Sequence, residues 1–260
     1  MNKKVPFSSD FVNAKKINKY SKILLCVSAF LLITNFILTK VPTPPFGIIH
    51  WIKIANYLSI TLFAISGVIV NYIHFKAESF RRDDFIDNSF GSILAEERSK
   101  NYYTNDELPK GLYKMGVNSF ESCFFSYNII KKSLPILWFK VGIFSVLFIF
   151  FAISGFDGIA FLIIQLAIPA ILIQQAVKYT LFHSRLNKVF EKYRTLFNNL
   201  KGKNDKEQCN TEIIKNILEY ETTISWGNIL LNEKTYKRMN PSLSIKWEEL
   251  KKEYSIQQHP

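Results

Sequence analysis

The chain has 260 residues, 48% of them hydrophobic, and a formal net charge of +12. Its mean hydropathy of +0.06 averages strongly apolar and strongly basic blocks, a mosaic that excludes an evenly patterned soluble domain. Three distant cysteines, Cys26, Cys123 and Cys209, exclude a disulfide framework and a cysteine metal motif, and the last two suit a reduced compartment.

Residues 1–22 carry six lysines and one acid and are expected to form a basic cytoplasmic tail or a short interfacial helix. Residues 23–39 are 17 uncharged residues closed by Lys22 and Lys40, the lower limit for a membrane span. A basic start followed by an apolar run without a small-x-small site indicates a retained segment rather than a cleaved leader. Pro42, Pro44, Pro45 and Gly47 then stop a helix, and Trp51 is an interfacial anchor type. Residues 54–75 give a second span of 22 residues.

A cytoplasmic helical segment is expected over 76–132. It opens by continuing the second span through Phe80, Ile86, Phe90 and Ile93, passes through loop chemistry at 101–111, and returns as a helix over 112–130. A second membrane hairpin, 133–180, follows: the only charge from 134 to 156 is Lys140, 158–177 has none, and Ser154-Gly155-Phe156-Asp157-Gly158 joins the two runs. The cytoplasmic C-terminal region, 181–260, is expected to hold an amphipathic helix from Leu186 to Leu200, a polar linker over 201–210, a helix over 211–226 and another after Gly227. Asn240-Pro241-Ser242 is expected to stop that helix before a short last one beginning near Ser244. The fold class is therefore all-α, a polytopic protein with four transmembrane helices.

Lys and Arg count six in the tail, two at the first loop, nine over 76–132, none at the second short connection and fifteen after Val177. Thirty on one side against two on the other is expected to place both termini and the central segment in the cytoplasm. Because these cations sit directly outside the apolar runs, the bilayer is the expected partner and nucleic acid is not.

Polar groups inside the spans, Asn35, Asn56, Asn71, Gln165, Gln174 and Gln175, are candidates for pore lining or for hydrogen bonds between helices. Four helices leave no room for a wide aqueous path, so conduction requires a homo-oligomer. Pro169 is either a hinge or a packing feature of the last span. A cytosolic interaction surface is expected from Arg81, Arg82, Asp83, Asp84, Asp87, Trp226 and Trp247, which suits a scaffold docking a sensor or regulatory protein. His50, His74, His183 and His259 are scattered, and no triad, zinc spacing or phosphate loop occurs, so neither catalysis nor a cofactor or metal is expected.

Two spans, a segment beginning Lys76-Ala77-Glu78-Ser79-Phe80-Arg81-Arg82-Asp83-Asp84-Phe85-Ile86-Asp87, two more spans and a tail bearing Trp247 and Tyr254 together resemble bacterial four-span effectors associated with SMODS/SLOG-type anti-phage defence. The resemblance is one of layout, and it maps no functional residue. It implies a pore-forming or membrane-disrupting effector working beside a partner that senses infection.

Overall fold

The computed structural model describes residues 5–39, 41–42, 46–100, 102–153, 159–201 and 209–256. It is all-α: α1 (Ser8–Thr39), α2 (Phe46–Phe90), α3 (Leu112–Ile153), α4 (Ile159–Leu200), α5 (Asn210–Gly227) and α6 (Glu233–Glu253), with no strand among the described residues. Two compact units emerge, Phe7–Phe80 and Arg81–Pro260 together with Met1–Pro6.

In the first unit α1 begins well before the expected span, so residues 8–22 are helix rather than tail. Nothing between Ser8 and Thr39 breaks a helix, and Lys15, Lys16, Lys19 and Lys22 are good helix formers. Helix α2 starts directly after the proline run and carries Trp51 within its first turns. The two helices run antiparallel. Ser28 Oγ donates to Asn56 Oδ1 at 2.6 Å, and the ring of Phe11 meets that of His74 edge-on at 5.6 Å.

Buried positions on α1 and just before it recur every seven residues, at Phe7, Ala14, Ser21 and Ser28, with half-buried Asn35 next in register. A strict seven-residue repeat keeps one seam on one side of a gently supercoiled pair, and small side chains let the backbones approach. The outer surface is apolar and open. Both α1 and α2 are long and apolar enough to cross a membrane, and only 6% and 11% of their most apolar 18-residue windows are buried.

In the second unit α3 and α4 form an antiparallel pair of 42 residues each, about 63 Å long. Residues 112–130 and 134–153 are one continuous helix, with Pro135 inside it. Around the first half of α3 lies an aromatic core: Phe120 stacks on Tyr193 and Phe197, with centroids at 5.4 and 5.2 Å, and meets Trp247 edge-on at 5.2 Å. Farther along, Trp138 Nε1 donates to Thr180 Oγ1 at 3.1 Å, tying the apolar halves together where they begin.

Helix α5 packs on α3 and α4, and α6 packs on α3. Gly227 ends α5 against the ring of Phe182, which a Cβ there would overlap. Asn232 caps α6, accepting from Thr235 N at 3.1 Å, and the helix then runs unbroken through Pro241. This corrects the expected stop at 240–242. Proline inside a helix costs about 3 kcal/mol, but here it is exposed, while the buried stripe Thr235, Leu243, Trp247 and Lys251 continues on both sides of it. The connection 154–158, the linker residues 202–208, Pro44, Pro45 and His259 lie outside the described residues, as do the side chains of 159–169, including Gln165 and Pro169.

Candidate functional site

The expected interaction residues separate into three settings. Arg81 is buried and paired with Glu221 of α5 at 2.5 Å, while Arg82 Nη1 donates to Ser225 Oγ at 3.5 Å. Asp84 is buried and accepts from the backbone N and Oγ of Ser99, each at 2.6 Å. Asp87 is buried as well and accepts from Ser92 Oγ at 2.7 Å, Leu94 N at 2.9 Å and Ala95 N at 2.8 Å. Burial opposes its charge, but those bonds and the guanidinium of Arg98 outweigh it and hold the carboxyl below the usual range. Arg98 also donates to the carbonyl oxygen of Ser92. These two aspartates are internal braces for the loop after α2, turned inward rather than presented to a partner. Asp83, between them and Arg82, is half-buried.

The braced loop exposes apolar side chains. Phe90, Ile93 and Leu94 face outward, Ile93 at 85% exposure, although Gly91 takes the left-handed φ of +77° needed for the turn and its N–H returns to Asp87 O at 2.7 Å.

Trp247 is fully buried and Trp226 is partly exposed. Trp247 Nε1 donates to Thr104 Oγ1 at 3.2 Å, entering a polar network that the sequence analysis did not single out. Asn105 Nδ2 donates to Glu121 Oε2 at 2.7 Å and Asn118 Oδ1 at 2.9 Å, and Asn118 Nδ2 donates to Asn88 Oδ1 at 2.9 Å. Lys251, also buried, donates to Thr104 O at 3.1 Å and pairs with Glu248 at 2.8 Å. The network joins α2, the loop, α3 and α6. Burial pushes the Glu121 carboxyl up to about 7, against the bonds from Thr104 and Asn105 and the charge of Lys251. The available signal was a lone acid, Glu121, among the aromatic positions of α3.

Among the described residues, the amides expected inside the spans do not form one cluster. Asn56 is buried and satisfied by Ser28, whereas Asn35 Oδ1 is buried with no hydrogen-bond partner among the described residues. Asn71 and Gln174 lie on exposed surface, and half-buried Gln175 hydrogen-bonds with Tyr179.

Burial raises the Cys123 thiol far out of the nucleophilic range, and His183, stacked on Tyr127 at 5.0 Å, has its pKa lowered by burial and by Lys131. Among the described residues no group of three or more His, Cys, Asp or Glu side chains is arranged to hold a metal. Comparison of the chain with protein-family models, curated proteins and solved structures found no match.

Proposed function

We propose that this chain is a four-span bacterial inner-membrane protein with cytoplasmic termini, which assembles into a homo-oligomer and acts as the membrane-perturbing arm of an anti-phage defence system. The observation that carries this reading is the contrast on α1 and α2: an apolar surface left almost wholly open, around a seam built of Ser21, Ser28, Asn35 and Asn56. Lipid or neighbouring copies satisfy the open surface. In hydrocarbon the amide of Asn35 costs free energy until it finds water or a partner, which favours a state in which this seam is solvated between copies. The apolar halves of α3 and α4 supply the other two spans, each of about 20 residues or about 30 Å.

Overproduction in bacterial cells loaded with a potential-sensitive dye is expected to collapse the membrane potential and arrest growth, and Asn35→Leu and Asn56→Leu are expected to weaken both effects. An unchanged potential and normal growth, with the protein present in the membrane fraction and the defence response triggered, would overturn the reading.

A second reading, a scaffold that docks a cytosolic partner, is supported by the exposed Phe90, Ile93 and Leu94 on a backbone held rigid by Asp87. It predicts that Ile93→Asp abolishes co-purification of that partner while the membrane potential is unaffected by the wild-type chain.

A further inference from the structure

Among the described residues, ion pairing on α3 and α4 stops where their apolar halves begin. On α4, Lys192 pairs with Glu219 and Arg194 with Glu191, whereas Lys178 and Arg185 have no carboxylate partner among the described residues. On α3, Lys114 pairs with Asp106 at 3.7 Å, whereas Lys131 and Lys132 have no such partner among the described residues. On α2, Arg81 is paired with Glu221, while its neighbour Arg82 has no carboxylate partner among the described residues and donates to Ser225. The sequence explains the switch: from residue 122 to residue 190 the only acid is Asp157.

Aromatic side chains with polar tips occupy the same level. The guanidinium of Arg185 lies 4.0 Å from the ring centroid of Trp226, and Arg82 reaches Ser225, the residue beside it. Gly227 lets this end of α5 close onto Phe182 and so fixes Trp226 over α4. Lys131 lies 5.5 Å from the ring centroid of Tyr127, and Trp138 is bonded to Thr180. From Lys178 to Arg185 the rise is about 10 Å, similar to the depth of a headgroup layer.

We propose that Lys131, Lys132, Lys178 and Arg185, with Arg82 and Trp226 beside them, form a rim that binds the phosphate groups of anionic phospholipids in the leaflet next to the helical core. This rests on the four-span reading. The cations are spread around two helices instead of converging on one cavity, which fits several headgroups better than one soluble anion. Tryptophan at the level of the cations has an apolar ring for the acyl boundary and an N–H for the headgroups. Each cation at an anionic surface strengthens binding about fivefold.

The test uses the full chain purified in a neutral detergent. Binding of phosphatidylglycerol, phosphatidylcholine and glycerol phosphate is measured by native mass spectrometry and by the shift in melting temperature. Phosphatidylglycerol is expected to bind and to raise the melting temperature, and the other two probes are expected to do neither. The variant K131Q/K132Q/K178Q/R185Q should lose the preference for phosphatidylglycerol over phosphatidylcholine by at least tenfold, and K192Q/R194Q should keep it. Wild-type chain that binds both lipids equally overturns the proposal whether or not the fourfold variant folds. Retention of the preference in a folded fourfold variant does so too, and stabilisation by glycerol phosphate alone would replace the lipid by a soluble anion. Alkaline extraction of membranes separates the two levels: a chain released by it removes the span reading, whereas a chain that stays but shows no lipid preference removes only the rim.

Discussion

The hairpin of α1 and α2 and the aromatic core of the second unit are both helical, yet they keep their polar groups in opposite ways. The hairpin seam is small and polar, closed by Ser28 and Asn56, while its large apolar side chains, such as Phe30, Trp51 and Val68, face outward. In the core the large side chains, Phe120, Tyr193, Phe197 and Trp247, are inside, and the buried polar groups are knitted into a network around Glu121. Water drives the second arrangement through burial of apolar area; in hydrocarbon that drive is absent, and close approach and hydrogen bonding hold helices instead. On the proposed reading, the α1–α2 hairpin and the aromatic core thus differ in their solvent.

Truncation should break the comparison most sharply. Trp247→Ala removes a fully buried indole and its bond to Thr104, and is expected to cost about 3–5 kcal/mol in the unfolding of the core. Val68→Ala, on a hairpin residue 71% exposed, is expected to cost close to nothing in detergent. Chemical denaturation of the two variants side by side checks this, and equal losses would erase the distinction.

The next effect is one of pH. Folding raises the Glu121 carboxyl from its ordinary 4.5 to about 7, so the folded core holds the proton longer than the unfolded chain. The stability contributed by the neutral carboxyl is complete below about pH 4.5 and is lost as pH rises through about 7, a change on the order of 3 kcal/mol. Melting curves from pH 4.5 to 8 should show this fall in the wild type and lack it in Glu121→Gln. A variant that retains the fall would assign it to another group.

Much of this was legible in the residues. The uncharged runs at 23–39 and 54–75 lie on helices long enough to span, and Leu186, Val189, Tyr193, Leu196 and Leu200 announced the packed half of α4. The seven-residue recurrence of Phe7, Ala14, Ser21 and Ser28 was also present, although charge counting drew attention to a tail instead. What could not be read locally were contacts closing over distance: Asp84 binds a residue 15 positions on, and Trp247 binds one 143 positions back. Such partners turn an apparent acidic surface into internal braces. Pro241 misled for a related reason, since its local penalty is outweighed by a buried stripe whose partner lies on another helix.

A smaller loss than that of Trp247→Ala or of the Glu121 proton sharpens the hairpin side. Ser28→Ala removes the bond to Asn56 and should cost about 0.6 kcal/mol, the usual scale for a hydrogen bond between membrane helices. Thermal denaturation in detergent, with Ser66→Ala as a comparison because Ser66 donates to Phe63 O within its own turn, checks this.

The central claim is that the hairpins cross the bilayer while the aromatic core remains in the cytoplasm, and labelling of intact cells tests it most directly. In a background where Cys26, Cys123 and Cys209 are replaced by serine, D157C should react with a membrane-impermeant maleimide from outside, and K237C should react only after permeabilisation. Labelling of K237C in intact cells, or complete protection of D157C until the membrane is opened, would contradict the account.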